Sequence, residues 1–261
     1  MIWIIGHVLA VAIGVSLGLI GGGGSILAVP ILVYVMGLTP KAAIATSLVV
    51  VGTVSLIGVI PHWWQQNVNF KTAAIFTPAA MLGAYLGARI ASLPLITGTI
   101  QLICFGIVMV IASVLMIRKD SNDSPPAPTT SSHPPTGHAH TRKQTWLAIP
   151  LEGLGVGMLT GFVGVGGGFA IIPALVLLGN LPMKEAIGTS LLIIAFKSTT
   201  GFLGYLGQVD LNWPLMLTFT LAASIGTVAG ALLTRVIPAK QLQQGFGYFV
   251  LIGAVFILVK R

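Results

Sequence analysis

The sequence is short of charge, above all of acid. Of 261 residues only 5 are Asp or Glu and 13 are Lys or Arg, so charged residues make up 7% of the chain, against about 25% in an ordinary soluble domain. A water-soluble globule is excluded, because too few polar side chains exist to cover its surface. Cysteine is absent except for Cys104, which lies in an apolar run. That excludes an intrachain disulfide framework and any Cys/His metal cluster. There is no phosphate-binding Gly-Lys-Ser run and no plausibly juxtaposed Ser/His/Asp set, so the chain reads as a non-enzyme without cofactors or metals. A net charge of +8 does not signal nucleic acid, because the basic residues are scattered thinly among apolar runs. The opening MIWIIGHVLAVAIGVSLGLI lacks a basic start and a small-residue cleavage site, and is expected to be a retained membrane helix.

What the chain does have is apolar length. It is 55% hydrophobic with a mean hydropathy of +0.99, the profile of an all-α, multi-pass integral membrane protein in a lipid bilayer. A bilayer core of about 30 Å needs about 20 apolar residues per helix. Runs of that kind fall at 2–20, 41–60, 71–91, 97–117, 146–163, 183–206, 213–236 and 240–259. Two further runs, 25–37 and 169–179, are too short to span, and each follows a glycine-rich break. The expected count is about eight membrane segments. Residues 118–145 interrupt the pattern with a polar stretch rich in Pro, Ser and Thr, read as a disordered linker. Its Arg118, Lys119, Arg142 and Lys143 place it in the cytoplasm by the positive-inside rule. His133, His138 and His140 lie within it; a metal-binding tract is conceivable, but an ordered metal site needs a held geometry and supporting partners around its ligands.

The linker separates two halves, 1–117 and 146–261, that repeat one another. Adding 143 to Gly18, Gly21, Gly23, Gly24, Pro30, Lys41, Thr46, Ser47, Gln65, Asn69, Gly83 and Gly87 reaches Gly161, Gly164, Gly166, Gly167, Pro173, Lys184, Thr189, Ser190, Gln208, Asn212, Gly226 and Gly230. The chain is a duplicated helical unit. Duplicated membrane halves, each with an interrupted segment at the same place, point to a secondary transporter with its site at the repeat interface. Gly83, Gly87, Gly226 and Gly230 fit close helix packing. The runs GGGGS (21–25) and GVGGG (164–168) do more, because each glycine destabilises a helix by about 1 kcal/mol relative to alanine. They break it. The half-helix that follows then offers N–H groups and the positive end of its dipole to an anion. Candidate binding residues are therefore Gly22, Gly23, Gly24 and Ser25, with Gly166, Gly167, Gly168 and Phe169 in the second half. The alternative, that the breaks serve only to pack a re-entrant hairpin, stays open.

GGGGSILAVPILVYVMGLTPKAAIATSL and GVGGGFAIIPALVLLGNLPMKEAIGTSL together resemble the duplicated signature of the sulfite exporter TauE/SafE family. The resemblance covers nearly the whole chain except the linker, and GQVDLNW (207–213) and GTVAGALLTRVIP (226–238) add to it. It implies a permease of a bacterial or archaeal cytoplasmic membrane that moves small sulfur-containing anions, such as sulfite or organosulfonates, usually outward. The halves differ at Ser25 and at HWWQQNVNF (62–70), which stands opposite YLGQVDLNW.

Polar residues inside apolar runs are functional candidates by default. Lys197, opposite Val54 in the repeat, would hold an anion; the alternatives are snorkelling to the interface or pairing with Glu152. Thr46, Ser47, Thr189 and Ser190 offer hydroxyls to the same substrate, or bond back to helix carbonyls. Glu152 is the candidate for proton coupling. Glu185 is expected at a solvated surface, His7 and His62 at helix ends, and Trp63, Trp64 and Trp213 in an aromatic belt. Counting Lys and Arg outside the spans gives 8 inside against 4 outside for inverted repeats, and 7 against 5 for parallel ones. Inversion is favoured. A passive anion channel, or a scaffold acting through the linker, are the competing functions, and association into a homo-oligomer stays open.

Overall fold

The computed structural model describes residues 2–91, 98–118, 141–163, 168–203 and 211–259. Among these the fold is helical, without a strand. α1 (Ile2–Ile20) leads through a 3-10 turn at Gly21–Gly24 into α2 (Ser25–Tyr34), followed by α3 (Pro40–Trp64), α4 (Phe70–Ala91) and α5 (Gly98–Arg118). The second half runs α6 (Thr141–Val163), α7 (Gly168–Pro173) continuing as a π turn (Ala174–Leu178), α8 (Met183–Leu203), α9 (Trp213–Leu233) and α10 (Ala239–Val259). These bounds lie within a few residues of the apolar runs. Arg118 closes α5 and Thr141–Thr145 open α6, so helix reaches into both ends of the stretch expected to be a linker. Its remainder, 119–140, with its three histidines, lies outside the described residues.

Local chemistry sets the helix starts. Thr39 Oγ1 accepts from the Ala42 N–H with Pro40 beside it, a cap combined with a residue that lacks a donor where none is needed. Asn69 Oδ1 accepts from Thr72 N–H, and Asn212 Oδ1 from Leu215 N–H. The same cap thus begins the same helix in each half.

Among the described residues, four stretches are long and apolar enough to cross a membrane: Trp3–Gly24, Ala42–Trp64, Met183–Leu203 and Trp213–Leu233. The chain is a multi-pass integral membrane protein. α2, with 10 residues, is about 15 Å long and cannot span. It folds back along α1. A methyl built on Gly24 would stand 2.7 Å from the Ile13 carbonyl oxygen, and the Met36 sulfur crowds Gly6 near the start of α1. Gly21, at φ +66°, begins this reversal in a conformation that disfavours any residue with a side chain.

The helices then pair across the two halves. α1 lies on α9 and α4 on α6, and small residues bring the backbones together: Gly14 meets the Ala223 carbonyl, Gly226 that of Val11, Gly83 that of Leu154, and Gly157 that of Ala80. The packing role expected for Gly83, Gly87, Gly226 and Gly230 is what they perform. In both pairs the contacts rise together along the sequence, so the helices are parallel. α3 lies on α8 and α5 on α10 with the opposite sense. Gly201 meets Leu48, Gly52 meets Ser198, Gly58 meets Leu191 and Gly188 meets His62, so α3 and α8, which occupy equivalent places in the repeat, run antiparallel. Gln243 Nε2 donating to the Met116 carbonyl, with Gly253 against Met109, gives α5 and α10 the same antiparallel relation. Phe76, Phe219, Phe246, Ile171 and Ile172 fill the core between these pairs.

Candidate functional site

The two glycine breaks meet. A methyl on Gly22 would stand 2.7 Å from Gly168 Cα and closer still to its carbonyl, while one on Gly168 would stand 3.1 Å from Gly22 Cα. Gly21 to Gly24 and Gly168 are all buried. Around this contact, Ser190 Oγ would lie 2.6 Å from a methyl on Gly21, and a Phe249 ring carbon 3.3 Å from one on Gly23. The first break is therefore walled by α8 and α10 of the other half. Ser25 turns inward: its N–H is directed at the Gly22 and Gly23 carbonyls, and its hydroxyl donates to Gly22 at 2.7 Å. Gly166 and Gly167 lie outside the described residues. Phe169 is the second residue of α7.

The hydroxyl pairs on α3 and α8 are buried, and Ser190 is the member seen beside the junction. Ser47 and Ser190 donate back to the Ile44 and Ile187 carbonyls, each at 2.8 Å, the local bonding that serine adopts in helices. Thr46 and Thr189 are both buried. Thr189 Oγ1 accepts from the Asn69 N–H at 2.9 Å, so its hydroxyl joins α8 to the start of α4.

That bond belongs to a seam the sequence did not disclose. Asn69 Nδ2 donates to Glu185 Oε1 at 2.8 Å, which corrects the expectation that Glu185 is simply solvated. Gln65 Nε2 donates to the Ala231 carbonyl at 2.9 Å, and Thr234 Oγ1 donates to the same carbonyl at 2.6 Å. His62 lies in the last turn of α3, the helix end expected for it, and is fully buried there; its Nε2 lies 3.0 Å from the Gly18 carbonyl, and Nδ1 has no partner. The α3–α4 corner is thus tied to α1, α8 and α9. Histidine at a helix end and glutamine and asparagine in the corner after it carry no signal of these partners, which come from the other half or from a helix 44 residues earlier. His7 behaves as expected of a helix-end residue, its ring bonded to the Trp3 carbonyl and stacked on the indole. Trp63, Trp64 and Trp213 are exposed.

Lys197 points elsewhere than to Glu152. Its Nζ donates to Thr160 Oγ1 on α6 at 2.7 Å, and the Thr160 hydroxyl donates to the Gly157 carbonyl at 3.0 Å. Glu152 Oε2 is buried without a hydrogen-bond partner. A cavity of ≈ 500 Å³ between α4, α5 and α6 is lined by apolar side chains such as Ile107, Met158 and Phe162. It has the character of a groove for hydrocarbon, not of a site for an anion. No three His, Cys, Asp or Glu side chains gather into a metal-binding group among the described residues.

Two interrupted segments that meet inside a bundle of long apolar helices are the arrangement of a membrane transport protein. The family model of the sulfite exporter TauE/SafE matches residues 7–257, and the chain belongs to that family of membrane transporters. It is 36% identical over 94% of its length to a "Probable membrane transporter protein" of Xylella fastidiosa (strain Temecula1), of which the match covers 91%. The "Probable membrane transporter protein YunE" of Bacillus subtilis is 29% identical, over 93% of this chain and 92% of that protein. A "Probable membrane transporter protein" of Haemophilus influenzae is 25% identical, over 95% and 94%. No solved structure matches the chain.

Proposed function

We propose that this chain is a secondary transporter of small sulfur-containing anions, such as sulfite or organosulfonates, in a bacterial or archaeal cytoplasmic membrane. It exports them by alternating access through a site where the two halves meet. The observation that carries this reading is the contact of Gly22 with Gly168, which brings two broken segments to one place inside the bundle. The halves are inverted repeats, a reading supported by the antiparallel course of α3 against α8 and of α5 against α10. Inverted halves let one rock against the other around a fixed centre. Gly22, Gly23, Gly24 and Ser25, with Gly168 and Phe169, form the floor of the site, and Gly166 and Gly167 are assigned to substrate binding by their place in the repeat alone. Thr46, Ser47, Thr189 and Ser190 line it, and Lys197 supplies the charge. Glu152, with a buried oxygen free of hydrogen bonds, is the group that carries a coupling proton.

The seam at Asn69, Gln65 and His62 closes one face of the molecule. With the 119–140 segment placed in the cytoplasm by its basic flanks, the closed face is the cytoplasmic one. Substrate enters when these ties release. The experiment is flux of labelled sulfite and taurine in liposomes loaded with the same anion. Saturable, counterflow-accelerated exchange supports a carrier, whereas linear flux without exchange acceleration identifies a channel.

A further inference from the structure

The two halves differ in chemistry where Lys197 meets Thr160. Their counterparts in the repeat are Val54 and Leu17, both fully buried members of the hydrophobic core. One half therefore carries an ammonium and a hydroxyl where the other carries hydrocarbon. Within the four membrane-crossing stretches the only lysines or arginines are Lys197 and Lys184, and Lys184 lies in the first turn of α8 with its Nζ bonded to the Arg235 carbonyl. One cation thus faces the interior of these spans.

Thr160 controls where that cation sits. It is 4% exposed, and its proton goes to the Gly157 carbonyl, which leaves a lone pair to accept from Lys197. This bond fixes the end of a long, otherwise mobile side chain. It does so within the last two turns of α6, whose described end is Val163. An ammonium has three donors, so after the bond to Thr160 the remaining two are available to an oxyanion. Glu152 lies on the same helix about two turns earlier, and adds no positive charge to balance a second negative one. Burying an unbalanced charge in low dielectric is strongly unfavourable.

We propose that Thr160 is a positioning residue that holds the Lys197 ammonium for one monoanionic head group, so that the transporter selects a sulfonate or hydrogen sulfite over a dianion of the same shape. This rests on the reading of Lys197 as the charge in the substrate site. The test is titration of purified full-length protein in detergent with methanesulfonate, always a monoanion, and with sulfate, a dianion at neutral pH. Wild type binds methanesulfonate at least about tenfold more tightly than sulfate, the scale of a charge-assisted hydrogen bond. Thr160→Val weakens methanesulfonate binding by about tenfold, and Thr160→Ser restores it to near wild type. Thr160→Ala, which adds no bulk, repeats the test if the valine variant does not fold. Lys197→Gln abolishes binding.

Equal affinity for sulfate and methanesulfonate overturns the monoanion selectivity. Loss of binding in Lys197→Gln with none in Thr160→Val or Thr160→Ala overturns the role of Thr160 and leaves Lys197 in the site. Unchanged binding in Lys197→Gln, or no binding of either anion by wild type, overturns the reading of the site itself.

Discussion

Replacing Gly22 by alanine tests the junction of the halves. The added methyl would lie 2.7 Å from Gly168 Cα and nearer to its carbonyl, well inside van der Waals contact. Both colliding groups are backbone, so no rotamer change relieves the clash. Overpacking of this kind costs about 1–3 kcal/mol, and backbone partners place it at the upper end. Alanine returns about 0.5–1 kcal/mol by restricting the unfolded chain, which leaves a net loss of about 2 kcal/mol. In a chain of this size 1 kcal/mol moves Tm by about 2–4 °C, so Gly22→Ala lowers Tm by about 4–8 °C. The assay is thermal unfolding in detergent beside Gly155→Ala and Gly245→Ala, where a methyl meets nothing within 4 Å. Those two controls keep or raise Tm, because alanine favours helix over glycine by about 1 kcal/mol. Transport by Gly22→Ala falls with its stability or further. A Tm within a degree of wild type for Gly22→Ala would refute the close approach of the two breaks.

Asn69→Ala removes a helix cap and the bond to Glu185 together, and lowers stability by about 1–2 kcal/mol in thermal unfolding. Glu185→Ala, which keeps the cap, lowers it less. Thr227→Val deletes the bond to the Gly14 carbonyl at the α1–α9 contact and destabilises by about 0.6 kcal/mol, as interhelical bonds in membranes do on average, read as a small Tm decrease. Removing 120–141 leaves anion binding within twofold of wild type by titration, whereas a protein that acts through this segment loses its role. Reporter fusions place both termini on the face opposite 119–140; two cytoplasmic termini contradict inverted halves.

Nearly every helix was legible in the sequence, because a membrane span needs only length and hydropathy and the duplication marks each one twice. The glycine breaks were legible for the same reason, at Gly21–Gly24 above all. The relative sense of the halves was not, since a Lys and Arg count of 8 to 4 against 7 to 5 separates the two topologies weakly. The partners of Gly52, Gly58 and Gly188 supply the antiparallel course of α3 against α8, which a residue count does not contain. The π turn at Ala174–Leu178 was also hidden, although Pro173, which removes a donor, stands at its start. Lys197 stood out as a lysine in an apolar helix, but Thr160 did not, because a threonine in an apolar run is ordinary until a cation is seen to face it. Asn69, Gln65 and His62 escaped for a related reason: their bonds reach Glu185, Ala231 and Gly18, and local pattern carries no record of long-range partners.

The central claim is that a small sulfur anion crosses where the two halves meet, held by Lys197. Counterflow of labelled sulfite or taurine into preloaded liposomes, with wild type beside Lys197→Gln, tests it most directly. The account predicts saturable exchange with at least one of these anions in wild type and loss of that exchange in the variant, with its folding intact. Undiminished exchange in Lys197→Gln, or flux that neither saturates nor accelerates with anion on the far side, would contradict it.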